Sequence, residues 1–274
     1  MAWLPASQTV QDDYYIVVMV TGSIYNQTQG GLLKQGQKIS SGDKLVFKGN
    51  ARAIVMSATR GRFVIAPKTA GASEFNSTVF DALSPLKTNS KLSTRGFGEA
   101  EPILNFKDHF GDSAFTVIGD EYIFKINTSV YPLNTTNVPA LSYKYDGKSV
   151  TKTISFKGNV ASIKRSESFN IDNQVLSPET IRALDIRLLY ISNVNDRATR
   201  KIDTLAKINL VFVAEAELKS QIETLMTIYQ GENLSNSQLK EQLTAYVWDV
   251  YGHTDNHLLE DWLVANGFIQ KEVK

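Results

Sequence analysis

The three histidines, His109, His253 and His257, are the side chains of this sequence with the most scope for chemistry. His253 and His257 are four residues apart with Asp255 between them, a set of side chains that can bind zinc. Gly252 precedes the pair, however, and Asp255 is a residue type favoured at helix N-termini, so the sequence predicts a turn between two helices here. We therefore expect a surface turn without a metal ion.

Most other catalytic and cofactor-binding patterns are absent from the sequence. The chain has no cysteine, which excludes thiolate catalysis, disulfides and cysteine-ligated zinc. It has no G-x-x-x-x-G-K-[ST] or G-x-G-x-x-G phosphate loop, and Gly96 and Gly98 lack the third glycine. His109 precedes Gly111 at the end of a predicted short helix, where a cation interacts favourably with the helix dipole. We expect no cofactor and no catalytic residue, which favours a protein that is not an enzyme.

Charge is divided unevenly along the chain. Residues 214–274 contain four Lys and ten Asp or Glu, whereas the first 213 residues contain 25 basic and 18 acidic residues. We predict that Lys44, Lys48 and Arg62 point outward from neighbouring strands and form one positive patch. That patch is either a solvated sheet face with lysines protecting an edge or a site for an anionic partner. Stacking aromatics do not interleave with these cations, so an acidic protein surface is favoured over nucleic acid.

Aromatic residues near the C-terminus are the second candidate binding feature. Tyr246 lies on a predicted apolar helix stripe, but Trp248 lies about 100° away from Val247 on the helix. Trp248 and Trp262 are of the residue type that anchors protein interfaces. Packing onto the rest of the protein explains Trp248 equally well, and the sequence leaves both interpretations open.

Short strands joined by tight turns are predicted for residues 14–67. Residues 14–25 are β-branched and aromatic and indicate a buried strand. In residues 33–67 apolar and basic residues alternate, and glycines stand between the alternating runs, where turns need positive φ. This pattern predicts a small barrel or sandwich.

The same stretch resembles a known bacterial domain. The run "VTGSIY…LLKQGQKISSGDKLVFKGNARAIVMSATRGRFVIAP" is similar to the small β-domain called FecR-like, with its "L..G..I..GD.L" turn unit, over about residues 15–67. The resemblance implies a β-module and a bacterial source. Sensor proteins of that family are membrane-anchored and no anchor is visible here, so the resemblance does not imply the sensing role.

The rest of the chain is predicted to form three further parts. Residues 68–100 are rich in Ser, Thr, Asn, Gly and Ala and predict a flexible connection, with at most a short helical turn near 79–83. Residues 101–213 predict a β-rich module, in which Asp146-Gly147 is a two-residue hairpin turn. Residues 214–274 change to helical periodicity and predict a helical module.

Capping residues mark several helix starts in these parts. Ser177 precedes Pro178, a residue suited to the first helical position, so a short helix is expected there. Ser235 and Gln238 form a capping box, and Asp255 caps the last predicted helix.

Taken together, the sequence predicts an α+β protein with a β-rich body of short antiparallel strands and a C-terminal helical module. No secretory signal or membrane span is visible, so we expect a soluble, cytoplasmic protein. We expect a non-enzymatic binding or assembly subunit that acts through protein–protein contacts, with a protein partner or a second copy of itself. Three alternatives stay open: an effector or protease substrate with a cleavable loop, an Asp/Glu-dependent enzyme, and a nucleic-acid binder.

Limited trypsin digestion tests the predicted connection. The composition of residues 68–100 cannot bury much apolar surface, so we expect the first cuts at Lys87, Lys91 or Arg95. Mass spectrometry of the early fragments identifies the sites. First cuts within residues 14–67 would show that the predicted boundaries are misplaced.

Overall fold

Two compact units make up the protein. The computed structural model describes residues 14–57, 60–67, 74–86 and 101–271. The N-terminal unit comprises Met1–Lys87 with Ser220–Leu234, and the C-terminal unit comprises Thr88–Lys219 with Ser235–Lys274. Residues 214–274 contain the predicted C-terminal helices, and their grouping into one module stays a prediction. The first of their helices, α5 (Glu215–Tyr229), begins in the C-terminal unit and continues in the N-terminal one.

The part of the N-terminal unit that the structure describes is built on one antiparallel sheet of seven strands. The path of paired strands is β2-β1-β4-β5-β7, while β3 pairs with β1 and β6 pairs with β4. The elements are β1 (Tyr14–Asn26), β2 (Gly31–Leu32), β3 (Lys38–Ser40), β4 (Lys44–Ser57), β5 (Gly61–Ile65), β6 (Glu74–Thr78), α1 (Val79–Ala82) and β7 (Leu83–Pro85).

Two long strands, β1 and β4, set the shape of this sheet. They pair along most of their length, with register shifts at Val17/Met19 and Thr21/Ser23. Such bulges bend a strand and increase its twist. The core on the inner face includes Tyr15, Ile24, Leu45, Phe47, Val55 and Ile65. The strand-rich prediction is confirmed, but in the described residues the sheet does not close into a barrel.

Part of the predicted flexible connection belongs to this sheet. Residues 74–86 contain β6, α1 and β7, and α1 matches the helical turn expected near 79–83. The Thr78 side chain caps α1 by accepting a hydrogen bond from the Asp81 N–H. The sequences of β6 and β7 show no strong alternation of apolar and polar residues. β6 pairs with β4 and β7 pairs with β5, and composition alone does not reveal these pairings. Residues 68–73 and 87–100 lie outside the described residues.

In its described residues the C-terminal unit contains three sheets. The largest has the order β11-β10-β16-β17-β8-β18, and the others are β12-β13-β9 and β14-β15. The strands are β8 (Ala114–Ile118), β9 (Glu121–Lys125), β10 (Val138–Tyr145), β11 (Lys148–Thr153), β12 (Ser155–Lys157), β13 (Val160–Lys164), β14 (Asn170–Ile171), β15 (Gln174–Val175), β16 (Ile186–Ser192), β17 (Lys201–Val213) and β18 (His253–Thr254).

Among the described residues of this unit, five helices accompany the start of α5: α2 (Phe106–Phe110), α3 (Arg165–Ser168), α4 (Pro178–Arg182), α6 (Asn236–Val250) and α7 (Asn256–Ala265). The predicted caps are confirmed, because Ser177 caps α4, Ser235 and Gln238 form the capping box of α6, and Asp255 caps α7. None of the described helices is long and apolar enough to span a bilayer.

The turn predicted at Asp146-Gly147 also lies between two observed strands. Asp146 and Gly147 have φ values of 48° and 72° and join β10 to β11 in the predicted hairpin. Strands β8 and β9 flank Gly119, but they do not pair with each other in a hairpin. β8 runs parallel to β17, and β9 is antiparallel to β13.

The two-residue strand β18 lies at the edge of the large sheet, between α6 and α7. It pairs in parallel with β8, so that His253 faces Phe115 and Thr254 faces Thr116 in the register. Gly252, which precedes it, has φ +112°, and a Cβ atom there would lie 2.3 Å from the Ala114 carbonyl oxygen. Only glycine permits so close an approach of two backbones.

Replacement of Gly252 tests this contact. Gly252→Ala should lower the free energy of unfolding by about 1–3 kcal/mol more than Gly158→Ala, because the added methyl group overpacks the backbone of β8. Gly158 is a matched control with φ +61° and open space around its Cβ position. Urea denaturation followed by circular dichroism measures both variants. Equal losses would show that positive φ alone accounts for the effect.

Candidate functional site

The predicted cations Lys44 and Lys48 lie on the outer face of the N-terminal unit. Both are exposed on β4, and the half-buried Val46 lies between them. Directly opposed residues of an antiparallel pair share one face, so the register places Tyr25 beside Val46 and Ser23 beside Lys48. The Tyr25 side chain is 42% exposed. We call the surface formed by these five residues the tyrosine–lysine face.

Strand β6 continues this face on the other side of β4. The register places Thr78 opposite Lys44 and Glu74 opposite Lys48. The tyrosine–lysine face is therefore bordered by strands on both sides of β4.

Arg62 does not extend the tyrosine–lysine face. It is half-buried on β5, opposite Met56, and a bulge separates this part of the sheet from the two lysines. Burial raises the pKa of Tyr229, and the nearby charge of Arg62 opposes that shift. Arg62 thus lies next to Tyr229 of α5, and the single three-cation patch predicted from the sequence does not form.

Trp248 lies inside the C-terminal unit. It is 5% exposed, and its indole packs edge to face against His253, with 4.9 Å between ring centroids. The position of Trp248 off the apolar stripe does not expose it, and of the two interpretations that the sequence left open, packing inside the protein is the one observed. The physical reason is that β18 turns back onto the sheet and provides α6 with an additional packing neighbour, which helical periodicity cannot reveal.

Trp262 is half-buried on α7. Its ring is tilted against Phe268 at a centroid distance of 5.9 Å, and its Nε1–H has no acceptor among the described residues. Neither tryptophan is thus a freely exposed anchor.

His109 and His253 meet around the ring of Phe115. The centroid distances from Phe115 are 5.6 Å to His109 and 5.5 Å to His253. The predicted surface turn at 253–257 is therefore a partly buried edge strand followed by a cap, and Thr254 is fully covered. Helical spacing does not apply to His253 and His257, as the sequence indicated.

A hydrogen-bonded chain joins His109, Tyr122 and Asp255. The Tyr122 hydroxyl donates to Asp255 Oδ2 at 3.4 Å, and its oxygen lies 2.5 Å from His109 Nε2. Which of the two atoms donates between His109 and Tyr122 depends on the tautomer of the imidazole. Asp255 Oδ1 accepts from the backbone N–H groups of His257 and Leu258 at 3.0 and 3.4 Å. The chain connects α2, β9 and the start of α7.

Burial dominates the ionisation of Tyr122. Desolvation raises its pKa well above the ordinary value of 10.0, and the charge of Asp255 and the hydrogen bond to that carboxylate raise it further. Tyr122 therefore stays protonated and donates its proton to Asp255 throughout the physiological pH range.

A small cavity adjoins this cluster. It has a volume of about 180 Å³ and is lined by Asp108, Gly111, Ser113, Trp248 and His253. Its wall therefore combines a carboxylate, a hydroxyl, an imidazole and an indole. Within the described part of the chain, no group of three or more His, Cys, Asp or Glu side chains is placed to hold a metal ion.

Sequence reasoning missed the link between Tyr122 and the histidines. The Asp255 cap was visible as a local signal, and His109 was placed correctly near a helix end. Nothing local connects residue 122 with residue 255, because their proximity results from the parallel β8–β18 pairing.

Comparisons with known proteins give no assignment. No family model, curated protein or solved structure matches the chain. The FecR-like resemblance of residues 15–67 therefore stays a prediction.

Removal of the Tyr122 hydroxyl should change the alkaline stability of the protein. Folding raises the pKa of Tyr122, so the protonated side chain adds to the free energy of unfolding. This stabilisation is complete below the unfolded-state pKa of about 10 and is lost as the pH rises through the folded-state pKa. In that window the free energy of unfolding should fall more steeply with pH for wild type than for Tyr122→Phe, by up to about 1.4 kcal/mol per pH unit.

Urea denaturation at pH values on both sides of the ordinary tyrosine pKa provides the measurement. The variant also loses two hydrogen bonds, so its curve should lie lower at neutral pH. The slope above pH 10 is the diagnostic quantity. Parallel curves in the alkaline range would show that Tyr122 is not protonated preferentially in the folded state.

Proposed function

We propose that this protein is a non-enzymatic assembly subunit that acts through protein–protein contacts. The observation that carries the proposal is the tyrosine–lysine face, where the exposed Tyr25 lies opposite Val46, which is flanked on β4 by two exposed lysines. Tyrosine is enriched among residues that contribute most to binding energy at interfaces. Charged residues around such an anchor mainly control orientation and association rate.

The partner that best complements this face is a second copy of the chain. Residues 214–274 have four lysines against ten acidic residues, so a second copy offers an acidic surface. On α7, Leu258 is 38% exposed, and Asp261 follows three residues later on the same side of the helix. Leu258 offers apolar contact to Tyr25, and Asp261 offers a counter-charge to Lys44 or Lys48.

Such a contact uses two different surfaces of the same protein. Contacts of this kind are heterologous and produce rings or open filaments, whereas a self-complementary surface produces a closed dimer. A nucleic acid is a poorer partner, since it would require cations with stacking aromatics in a groove, and Tyr25 is the sole aromatic residue of the tyrosine–lysine face.

Charge reversal tests the proposal. We expect wild type to self-associate in sedimentation velocity runs at low salt and to dissociate as salt rises, because surface charges are screened. Lys44→Glu with Lys48→Glu should weaken association about tenfold or more, since the ion pair with Asp261, worth up to about 1 kcal/mol, becomes a repulsion. Asp261→Lys added to that double variant should restore part of the association.

Matched controls separate the face from general charge effects. Lys148→Glu with Lys152→Glu changes the same residue types at the same spacing on β11 and should leave association unchanged. Tyr25→Ala should weaken association by about 2 kcal/mol, whereas Tyr14→Ala, also at 42% exposure on β1, should not. A wild type that stays monomeric at every concentration, or equal effects of both lysine pairs, contradicts the proposal.

A further inference from the structure

The first half of β17 is an open edge of the large sheet in the C-terminal unit. β17 pairs with β16 over residues 201–208, but its other neighbour, β8, pairs only with residues 209–213. Within the described part of the chain, no group bonds to the main chain of residues 201–207 from the side opposite β16. An open edge presents a row of unpaired N–H and C=O groups. This half of β17 therefore offers the donors and acceptors that another strand uses.

The side chains along this edge agree with an open position. Ile202 is 56% exposed, whereas Ile191, its cross-strand partner on β16, is buried. Natural sheets protect open edges with charged residues. Lys201 and Asp203 are charged but pair with each other, with 3.1 Å between Nζ and Oδ2. The apolar side chain of Ile202 lies between them and does not protect the edge.

A groove lies beside the open edge. Its volume is about 530 Å³, within the range of ligand-binding clefts. Residues 201 and 203–205 of β17 form one side, and residues 104–107 at the start of α2 form the other. Leu104, which is 77% exposed, and the half-buried Tyr131 provide apolar surface in it. A strand edge beside a groove is the arrangement in which an extended peptide joins a sheet and places alternate side chains in pockets.

The charges of the groove indicate an acidic occupant. Its lining contains two lysines, Lys107 and Lys201, and one carboxylate, that of Asp203. Asp203 is paired with Lys201, whereas Lys107 is exposed and forms no ion pair among the residues that the structure describes. The groove thus has an excess of one positive charge at Lys107. A carboxylate on the occupant complements that charge.

We propose that the open edge of β17 and its groove bind an extended acidic segment of a partner protein. The segment pairs its main chain with residues 201–205 of β17. Because side chains alternate along a strand, every second side chain of the segment enters the groove beside Leu104 and Tyr131, and the others lie near Ile202. An acidic side chain in the groove pairs with Lys107. The inference is independent of self-association, so either proposal can fail without the other.

A synthetic peptide tests the site. The probe is fluorescein-Thr-Val-Thr-Glu-Thr-Val-amide, in which the Val and Glu side chains share one face of the extended chain and the Thr side chains share the other. We expect saturable binding to the full-length protein in fluorescence anisotropy, with a dissociation constant below about 1 mM. The same peptide with Gln in place of Glu should bind about threefold to fivefold more weakly, which corresponds to the loss of an exposed ion pair.

Two N-methylated forms of the probe test the strand pairing itself. The N–H groups of alternate residues point to the same side of an extended chain, so methylation of the three Thr nitrogens blocks one side, and methylation of the Val and Glu nitrogens blocks the other. One form should lose affinity about tenfold or more, because its main-chain hydrogen bonds to β17 are removed, and the other form should keep it.

Hydrogen exchange and a pair of lysine variants locate the contact. The peptide should slow exchange of backbone amides in residues 201–205 and leave those of β11, the strand at the far end of the same sheet, unchanged. Lys107→Gln should weaken binding of the Glu peptide to the level of the Gln peptide, whereas Lys148→Gln on β11 should not. The proposal is overturned by an absence of saturable binding, by equal affinities of the two methylated forms, by equal protection of β11, or by unchanged binding in Lys107→Gln.

Discussion

The close approach of Gly252 to the Ala114 backbone is the constraint on which the C-terminal unit depends. It allows β18 to pair with β8, and Thr254 Oγ1 then donates to the buried Thr116 carbonyl at 3.1 Å. Since α6 ends and α7 begins on either side of this two-residue strand, both helices are attached to the sheet through it. The same pairing brings Asp255 to Tyr122 and His253 to Phe115.

In the N-terminal unit a buried carboxylate has the corresponding organising role. Asp43 is 6% exposed, and its Oδ2 accepts from Asn26 Nδ2 at 2.9 Å and from Gln29 Nε2 at 2.8 Å. These bonds tie the β3–β4 turn to the end of β1. Asp43 is the sole acidic residue of the sequence between residues 34 and 68, but its carboxylate is used in these bonds and is not a counter-charge for the surrounding lysines. Lys44 and Lys48 lie on the outer face of the sheet, whereas the Asp43 carboxylate holds the turns together on the opposite side.

Short sequence signals predicted local structure correctly, but they hold no information about contacts between residues that are distant in the sequence. The Asp146-Gly147 hairpin and the caps Ser177, Ser235 and Asp255 depend on a few adjacent residues, and all were predicted. Long-range pairing determines the burial of Trp248 and the division of residues 214–274 between two units. The hydrophobic periodicity of the sequence does not predict such pairing. For the candidate sites, the sequence identified Lys44 and Lys48 as exposed but did not identify Tyr25 or the cavity.

The hydrogen bonds of Asp255 also bear on the choice between binding and catalysis. A carboxylate that acts as a general base must take a proton from a substrate within hydrogen-bond reach. In this structure Oδ1 of Asp255 accepts from two backbone N–H groups at the start of α7, and Oδ2 accepts from Tyr122. Protonation of Asp255 would weaken the helix cap, and Tyr122, with its raised pKa, does not give up its proton near neutral pH. The cluster that most resembles a proton relay thus holds α2, β9 and the start of α7 together.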